Sequence, residues 1–292
     1  MKPRLVMDIG GTFIKYGLVD ANGVLLPASV GKTATHSGSS ASEVFSEVDR
    51  LVAKTETGAQ VAVSIPGPFD YTDGVFLMKH KFASLYGMSL TPLFQKRGKE
   101  VVYVHDSTAF LLGEGDGNCA GIMLGTGFGF ALAQGGRVCI GSDQRPAIPL
   151  WNKPFREGIA EDYVSRRAIR ALYKQASRCP DEPDVKEINE RAQTGDLAAR
   201  CAFQKTAEAI VAVLDRYVPR ALYHSRIVLG GQIAHASPYL IPPLAQAGLD
   251  VWQARHIEDA ALWGLGIYLA RGKGRCVLET TEKALVQSNG CR

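Results

Sequence analysis

The chain is short of cysteine, of long apolar runs and of blocks of like charge, and each shortage removes a class of answer. Its six cysteines, Cys119, Cys139, Cys179, Cys201, Cys276 and Cys291, are scattered without a Cys-x-x-Cys pair or metal-ligand spacing. They read as reduced cytosolic thiols. No stretch approaches the roughly 18 apolar residues that a spanning helix needs, and no apolar export segment stands at the N-terminus. A cytoplasmic location without a membrane partner is the expectation. Lys and Arg total 33 against 29 Asp and Glu, a formal charge of +4. No five or six like charges run together, and the basic group Arg166, Arg167, Arg170 and Lys174 falls at helical spacing, as a solvated helix face would. Nucleic acid is therefore not expected as a partner.

What is present is a globular composition, with 46% hydrophobic and 21% charged residues in a length of 292 that suits one large domain or two of ordinary size. Residues 5–26, LVMDIGGTFIKYGLVDANGVLL, alternate apolar runs with a glycine break and an Asn22-Gly23 turn, which predicts three short antiparallel strands. Residues 121–141, GIMLGTGFGFALAQGGRVCIG, repeat the plan, so one structural idea occurs twice. Between the copies, 61–67 and 101–107 read as buried strands and 40–55 as a helix. Beyond them, 156–177 and 196–218 read as helices around a Pro-rich loop, 226–231 as a strand and 259–271 as a closing helix. The tail from Gly272 has little periodicity and is expected to be peripheral.

Four turns end apolar strands: Asp8-Ile9-Gly10-Gly11-Thr12, His105-Asp106-Ser107, Gly125-Thr126-Gly127 and Gly230-Gly231. Each alone is a common tight turn. Glycine beside threonine also lets backbone amides approach an anion without Cβ interference. Taken in order, they resemble the ROK family (repressor, open reading frame, kinase) of sugar kinases in the actin-like ATPase superfamily, over most of the chain. The family's DxGGTxxKxGLxD loop is met by Asp8 through Asp20, its PGP turn by Pro66-Gly67-Pro68, and its NDANAAALGE segment by His105 through Glu114. Its GTGxGxG loop is met in part by Gly125 to Gly129, its LGGG loop by Leu229-Gly230-Gly231-Gln232, and its DAAxxGAAxLA segment by Asp259 to Ala270.

The resemblance implies an α/β fold of two ribonuclease-H-like (actin-like ATPase) domains with an interdomain cleft. On this chain they would be 1–117, joined by the C-terminal helix 258–271, and 118–257. It implies ATP held at Gly10, Gly11, Thr12, Gly125, Thr126 and Gly127, with Gly230 and Gly231 beside the adenosine, and Mg²⁺ at Asp8. It makes Asp106 the general base and places Gly67, Asp106 and Glu161 at the sugar. The product would be a phosphate ester, at the 6-hydroxyl of a hexose or amino sugar. Structural alternatives stand beside these roles: Asp8 as a turn-former, Asp106 as a helix N-cap and Glu161 as an exposed glutamate in a first helical turn. Lys15 reads as a solvated strand residue outside the site.

Residues 141–161 depart from the family pattern. The GExGH motif and its Cys-rich zinc loop are missing, with only Gly158 and Glu161 matching the end of the motif, so no zinc is expected. The family's sugar-binding Asn is not visible in residues 79–87, which leaves His80, Lys81, Trp151 and Asn152 as candidate replacement contacts. The sequence leaves the oligomeric state open, a homodimer included. A catalytically degenerate binder of sugar or nucleotide is the alternative to the enzyme. A DNA-binding repressor is disfavoured, because the phosphate loop begins only a few residues into the chain.

Overall fold

The computed structural model describes residues 2–55, 57–79, 81–115, 117–177, 181–223 and 226–271. The strands are β1 (Arg4–Ile9), β2 (Phe13–Val19), β3 (Gly31–Ala34), β4 (Gln60–Ile65), β5 (Phe69–Asp70), β6 (Val75–Phe76), β7 (Glu100–His105), β8 (Cys119–Leu124), β9 (Phe128–Gln134), β10 (Arg137–Val138), β11 (Pro154–Phe155), β12 (Gly158–Ile159), β13 (Ile227–Gly230) and β14 (Val251–Gln253). The α-helices are α1 (Ala41–Lys54), α2 (Thr91–Lys96), α3 (Asp106–Glu114), α4 (Arg166–Ser177), α5 (Val185–Gln193), α6 (Leu197–Tyr217), α7 (Arg220–Tyr223), α8 (Ser237–Gln246) and α9 (Ala260–Arg271).

Two five-stranded sheets carry the fold, ordered β3-β2-β1-β4-β7 and β10-β9-β8-β13-β14. In each, an antiparallel meander supplies three strands and two parallel strands extend the sheet from its first strand. The repeat read in the sequence is thus a repeat of topology. Residues 5–26 hold two of the three expected strands: Leu25 makes only an isolated bridge to Val19, the third strand of the first meander is β3 beyond that stretch, and β10 has two residues. The parallel strands are buried throughout their middles, as the Val and Ile runs of 61–65 and 227–229 require.

Helix α1 begins with a capping box, in which the Ser40 side chain accepts from the Glu43 amide and the Glu43 carboxylate accepts from the Ser40 amide. The helix predicted over 156–177 begins only at Arg166. Gly158 belongs to the ribbon β11-β12 and Ala160–Asp162 to a 3-10 turn, and the Ser165 hydroxyl accepts from the Ala168 amide at the helix start. The four basic residues of α4 are ion-paired on the surface, with Asp184, Asp162 and Glu182 as partners.

Helix α3 is apolar almost all round, the pattern of a buried helix. Its Ala109 packs with Val6, Val104 and Leu262 on the first sheet's side, while Phe110 and Leu111 pack with Cys119, Ala131 and Val228 of the second. Glycines make its crossing with α9 possible. A Cβ on Gly113 would lie 2.1 Å from the Ala260 carbonyl oxygen, and one on Gly264 would lie 1.8 Å from that of Ala109. The C-terminal helix therefore seats on α3, β1 and β4. The tail from Gly272 lies outside the described residues.

Candidate active site

The parallel strands β1, β4 and β7 end side by side, with Asp8 opposite Ser64 and Ile65 opposite His105. Ligands of open α/β sheets gather at such carboxyl ends. The Asp8 carboxylate accepts a short hydrogen bond from the Ser64 hydroxyl. Burial pushes the Asp8 carboxyl above its ordinary value and the nearby charge of Asp106 adds to this, while Ser64 and Lys15 offset only part. A carboxylate held against its preference, beside a second carboxylate and a hydroxyl, is a hard-oxygen donor set that suits Mg²⁺. Among the described residues, no three His, Cys, Asp or Glu side chains gather so as to hold a metal by themselves.

Asp106 is the first residue of α3, and His105 stands at the cap position, with its ring Nδ1 3.3 Å from the Ser107 amide nitrogen. Asp106 shares that first-turn amide, so a structural role at the helix start stands beside the catalytic one. Asp106 Oδ1 lies 2.9 Å from His105 Nδ1 and accepts from the Ser107 amide at 2.6 Å. Burial pushes this carboxyl up, but the His105 ring, the Ser107 amide and the charge of Lys81 outweigh it and hold it below the ordinary aspartate value. It is an ionised proton acceptor at neutral pH. The His105 ring leans on Tyr71, at 5.7 Å between centroids, and Nε2 would sit 3.4 Å from a Cβ on Gly67. Gly67 is thereby adjacent to the Asp106 side of the site.

The first glycine turn is closed by the Gly10 amide donating to the Phe13 carbonyl at 3.0 Å. The Ser37 hydroxyl donates to the Gly11 carbonyl at 2.5 Å, and Thr12 is exposed. In the second turn the Gly125 amide donates to the Gly127 carbonyl at 3.1 Å, and the Arg166 amide to the Gly125 carbonyl at 3.0 Å. Thr126 is exposed, and a Cβ on Gly125 would meet no atom within 4 Å. That open side is where a phosphate has room.

Glu161 acts as a strut on this turn. Its Oε2 accepts from the Phe128 amide at 3.0 Å and would lie 2.5 Å from a Cβ on Gly127. It is therefore not the freely exposed glutamate of the alternative reading. Trp151 and Asn152 are exposed, and the Trp151 carbonyl accepts from the Glu161 amide at 3.0 Å. His80 lies outside the described residues.

The third glycine turn faces inward. A Cβ on Gly230 would lie 2.1 Å from the Phe110 ring, and one on Gly231, at φ +78°, would lie 2.2 Å from the Leu124 carbonyl oxygen. These glycines bring β13 close to α3 and β8, a packing need that the sequence shows only as a turn.

The reading of Lys15 as a solvated strand residue needs correction. Its ammonium donates to the Glu258 carbonyl and lies 3.4 Å from the Glu258 carboxylate, which also accepts from Gln232 Nε2 at 2.9 Å. One cluster thus ties β2, the residues after Gly231 and the start of α9 together. Sequence spacing held no signal for it, because Lys15 stands 243 positions from Glu258.

A family model described as the ROK family matches residues 4–147 and 154–255. No curated protein matches the sequence. Among solved structures, the ROK family glucokinase from Streptomyces griseus in complex with glucose and AMPPNP aligns with TM-score 0.74 and 21% identity, over 92% of this chain and 100% of that one. The ROK hexokinase from Thermus thermophilus aligns with TM-score 0.68 and 20% identity, over 91% and 97%. A ROK family transcriptional regulator, a homolog of the E. coli MLC protein, aligns with TM-score 0.72 and 20% identity, over 91% and 77%. The doubled sheet order and the likeness to these structures give one architecture, and the chain belongs to the ROK family with its two-domain actin-like ATPase fold.

Proposed function

We propose that this chain is an ATP- and Mg²⁺-dependent kinase that phosphorylates a sugar hydroxyl, with Asp106 as general base. The observation that carries the reading is the pair of carboxylates at neighbouring strand ends, one strained by burial and one kept ionised. Phosphoryl transfer asks for positioning and charge stabilisation more than covalent help, and this pair divides those tasks. Asp8 would hold the cation with phosphate oxygens, and the cation would neutralise developing charge on the phosphates. Asp106 would take the proton of the attacking hydroxyl, for which an ionised carboxylate within hydrogen-bond reach is required.

The backbone amides around Gly10 to Thr12 and Gly125 to Gly127 would cradle the phosphates, with the adenosine beside Gly230 and Gly231. The acceptor would lie near Gly67 and Asp106, and we infer a hexose or amino sugar phosphorylated at its 6-hydroxyl. The glucokinase and hexokinase likenesses support sugar as the acceptor class. The likeness to a regulator favours instead a protein that binds without turnover; retention of both carboxylates argues for chemistry, since a binder needs no base. No helix among the described residues is long and apolar enough to cross a membrane, in keeping with a cytoplasmic enzyme. A coupled ADP-release screen with MgATP over hexoses, amino sugars, glycosides and polyols tests the proposal. Release above the ATPase background with at least one sugar is the expected result; background release with every acceptor contradicts it.

A further inference from the structure

Lys81 stands between the two halves of the proposed reaction. Its Cδ lies 3.6 Å from where a Cβ on Gly11 would be, against the first glycine turn. From that carbon the ammonium is two bonds away, and its charge acts on Asp106. The side chain is only partly exposed. The next residue, Phe82, is fully buried at φ +53° and packs on Phe76 at 5.2 Å between ring centroids. A bulky residue at positive φ is uncommon and costs free energy. Here it seats an aromatic anchor in the core directly beside Lys81. Two neighbouring contacts fix the same corner, Ser37 to the Gly11 carbonyl and the Ser84 hydroxyl to the Ser39 carbonyl at 2.7 Å.

A phosphoryl group leaving a nucleotide on Gly10 to Thr12 for a hydroxyl at Asp106 would move between the two groups that this side chain adjoins. We propose that Lys81 is a catalytic residue whose ammonium contacts the phosphoryl group in transit. The inference rests on the kinase reading above. In the step, the acceptor O–H gives its proton to the Asp106 carboxylate, a bond forms from that oxygen to the γ-phosphorus, and the bond from the γ-phosphorus to the ADP oxygen breaks. Lys81 stays protonated throughout and offsets charge on the equatorial oxygens, where a compact ammonium serves as a point charge. Such a contact is worth most in the transition state.

Calorimetric titration with MgADP, alone and with aluminium fluoride as a mimic of the group in transit, isolates this contribution. Lys81→Met is expected to bind MgADP like the wild type but to lose at least about a hundredfold of the tightening that fluoride confers, the low end for removing one charge-stabilising donor. Lys81→Arg should keep most of it. Lys81→Gln repeats the neutral substitution if the Met variant does not fold. Unchanged tightening in the neutral variants overturns the proposal. So does a wild type that binds MgADP without any tightening, which leaves nucleotide binding intact. A wild type that binds no MgADP removes the kinase reading itself.

Discussion

The two sheets share one strand order yet end in different chemistry. The carboxyl ends of β1, β4 and β7 carry Asp8, Ser64 and Asp106. The ends of β8 and β13 carry glycine, and the Glu161 carboxylate beside the first of them comes from outside the sheet and binds a backbone amide. On the proposed reading, a duplicated scaffold is divided into a half that would carry proton and metal chemistry and a half that would shape backbone around a phosphate. Substitutions that confuse the two roles are the way to test that division.

The largest effect is expected at Asp106. Asp106→Asn keeps the shape and removes the proton acceptor, so kcat should fall by at least about 10²-fold, with sugar and MgATP affinities changed far less. Near wild-type turnover would move the base elsewhere. On the glycine half the strongest effect should be on stability. Gly230→Ala drives a methyl group into the Phe110 ring and should cost about 1–3 kcal/mol, read as a lower Tm. An unchanged Tm would mean that β13 and α3 can separate freely.

Gly125→Val should do the opposite. Its side chain meets open space, so the fold should hold while MgATP affinity drops at least about tenfold, or about 1.4 kcal/mol. A folded variant with wild-type affinity would remove the second turn from the nucleotide site. The smallest effect is expected for Glu161→Gln, which keeps an acceptor for the Phe128 amide. As a strut it should change MgATP affinity by no more than about threefold, because the bond loses only its charge assistance. A large rise in the KM for sugar would instead make Glu161 a sugar contact.

Much of this arrangement is legible in the chain. Asp8 to Thr12 and Gly125 to Gly127 are each a common tight turn alone, and it is the order of the turns that gives the family. What the sequence hides is what each glycine side faces. Gly125 opens outward and Gly230 packs on Phe110, though both read as the same kind of turn. Helices α5 and α8 were not anticipated: VKEINERAQ is short, and the helix from Ser237 to Gln246 contains Pro242 and Pro243, which local propensity counts against a helix. His105 as the cap of α3 was missed because imidazole is not a usual capping group. Lys81 is legible only as a candidate replacement contact at the sugar, and its place against Gly11 comes from the fold.

The central claim is that a phosphoryl group crosses from the nucleotide to a sugar at Asp106. Its most direct test is ³¹P NMR of the wild-type protein with MgATP and the acceptor that releases most ADP. The account predicts one sugar phosphomonoester for each ADP formed. Inorganic phosphate in place of the ester, or intact ATP with every acceptor, would contradict it.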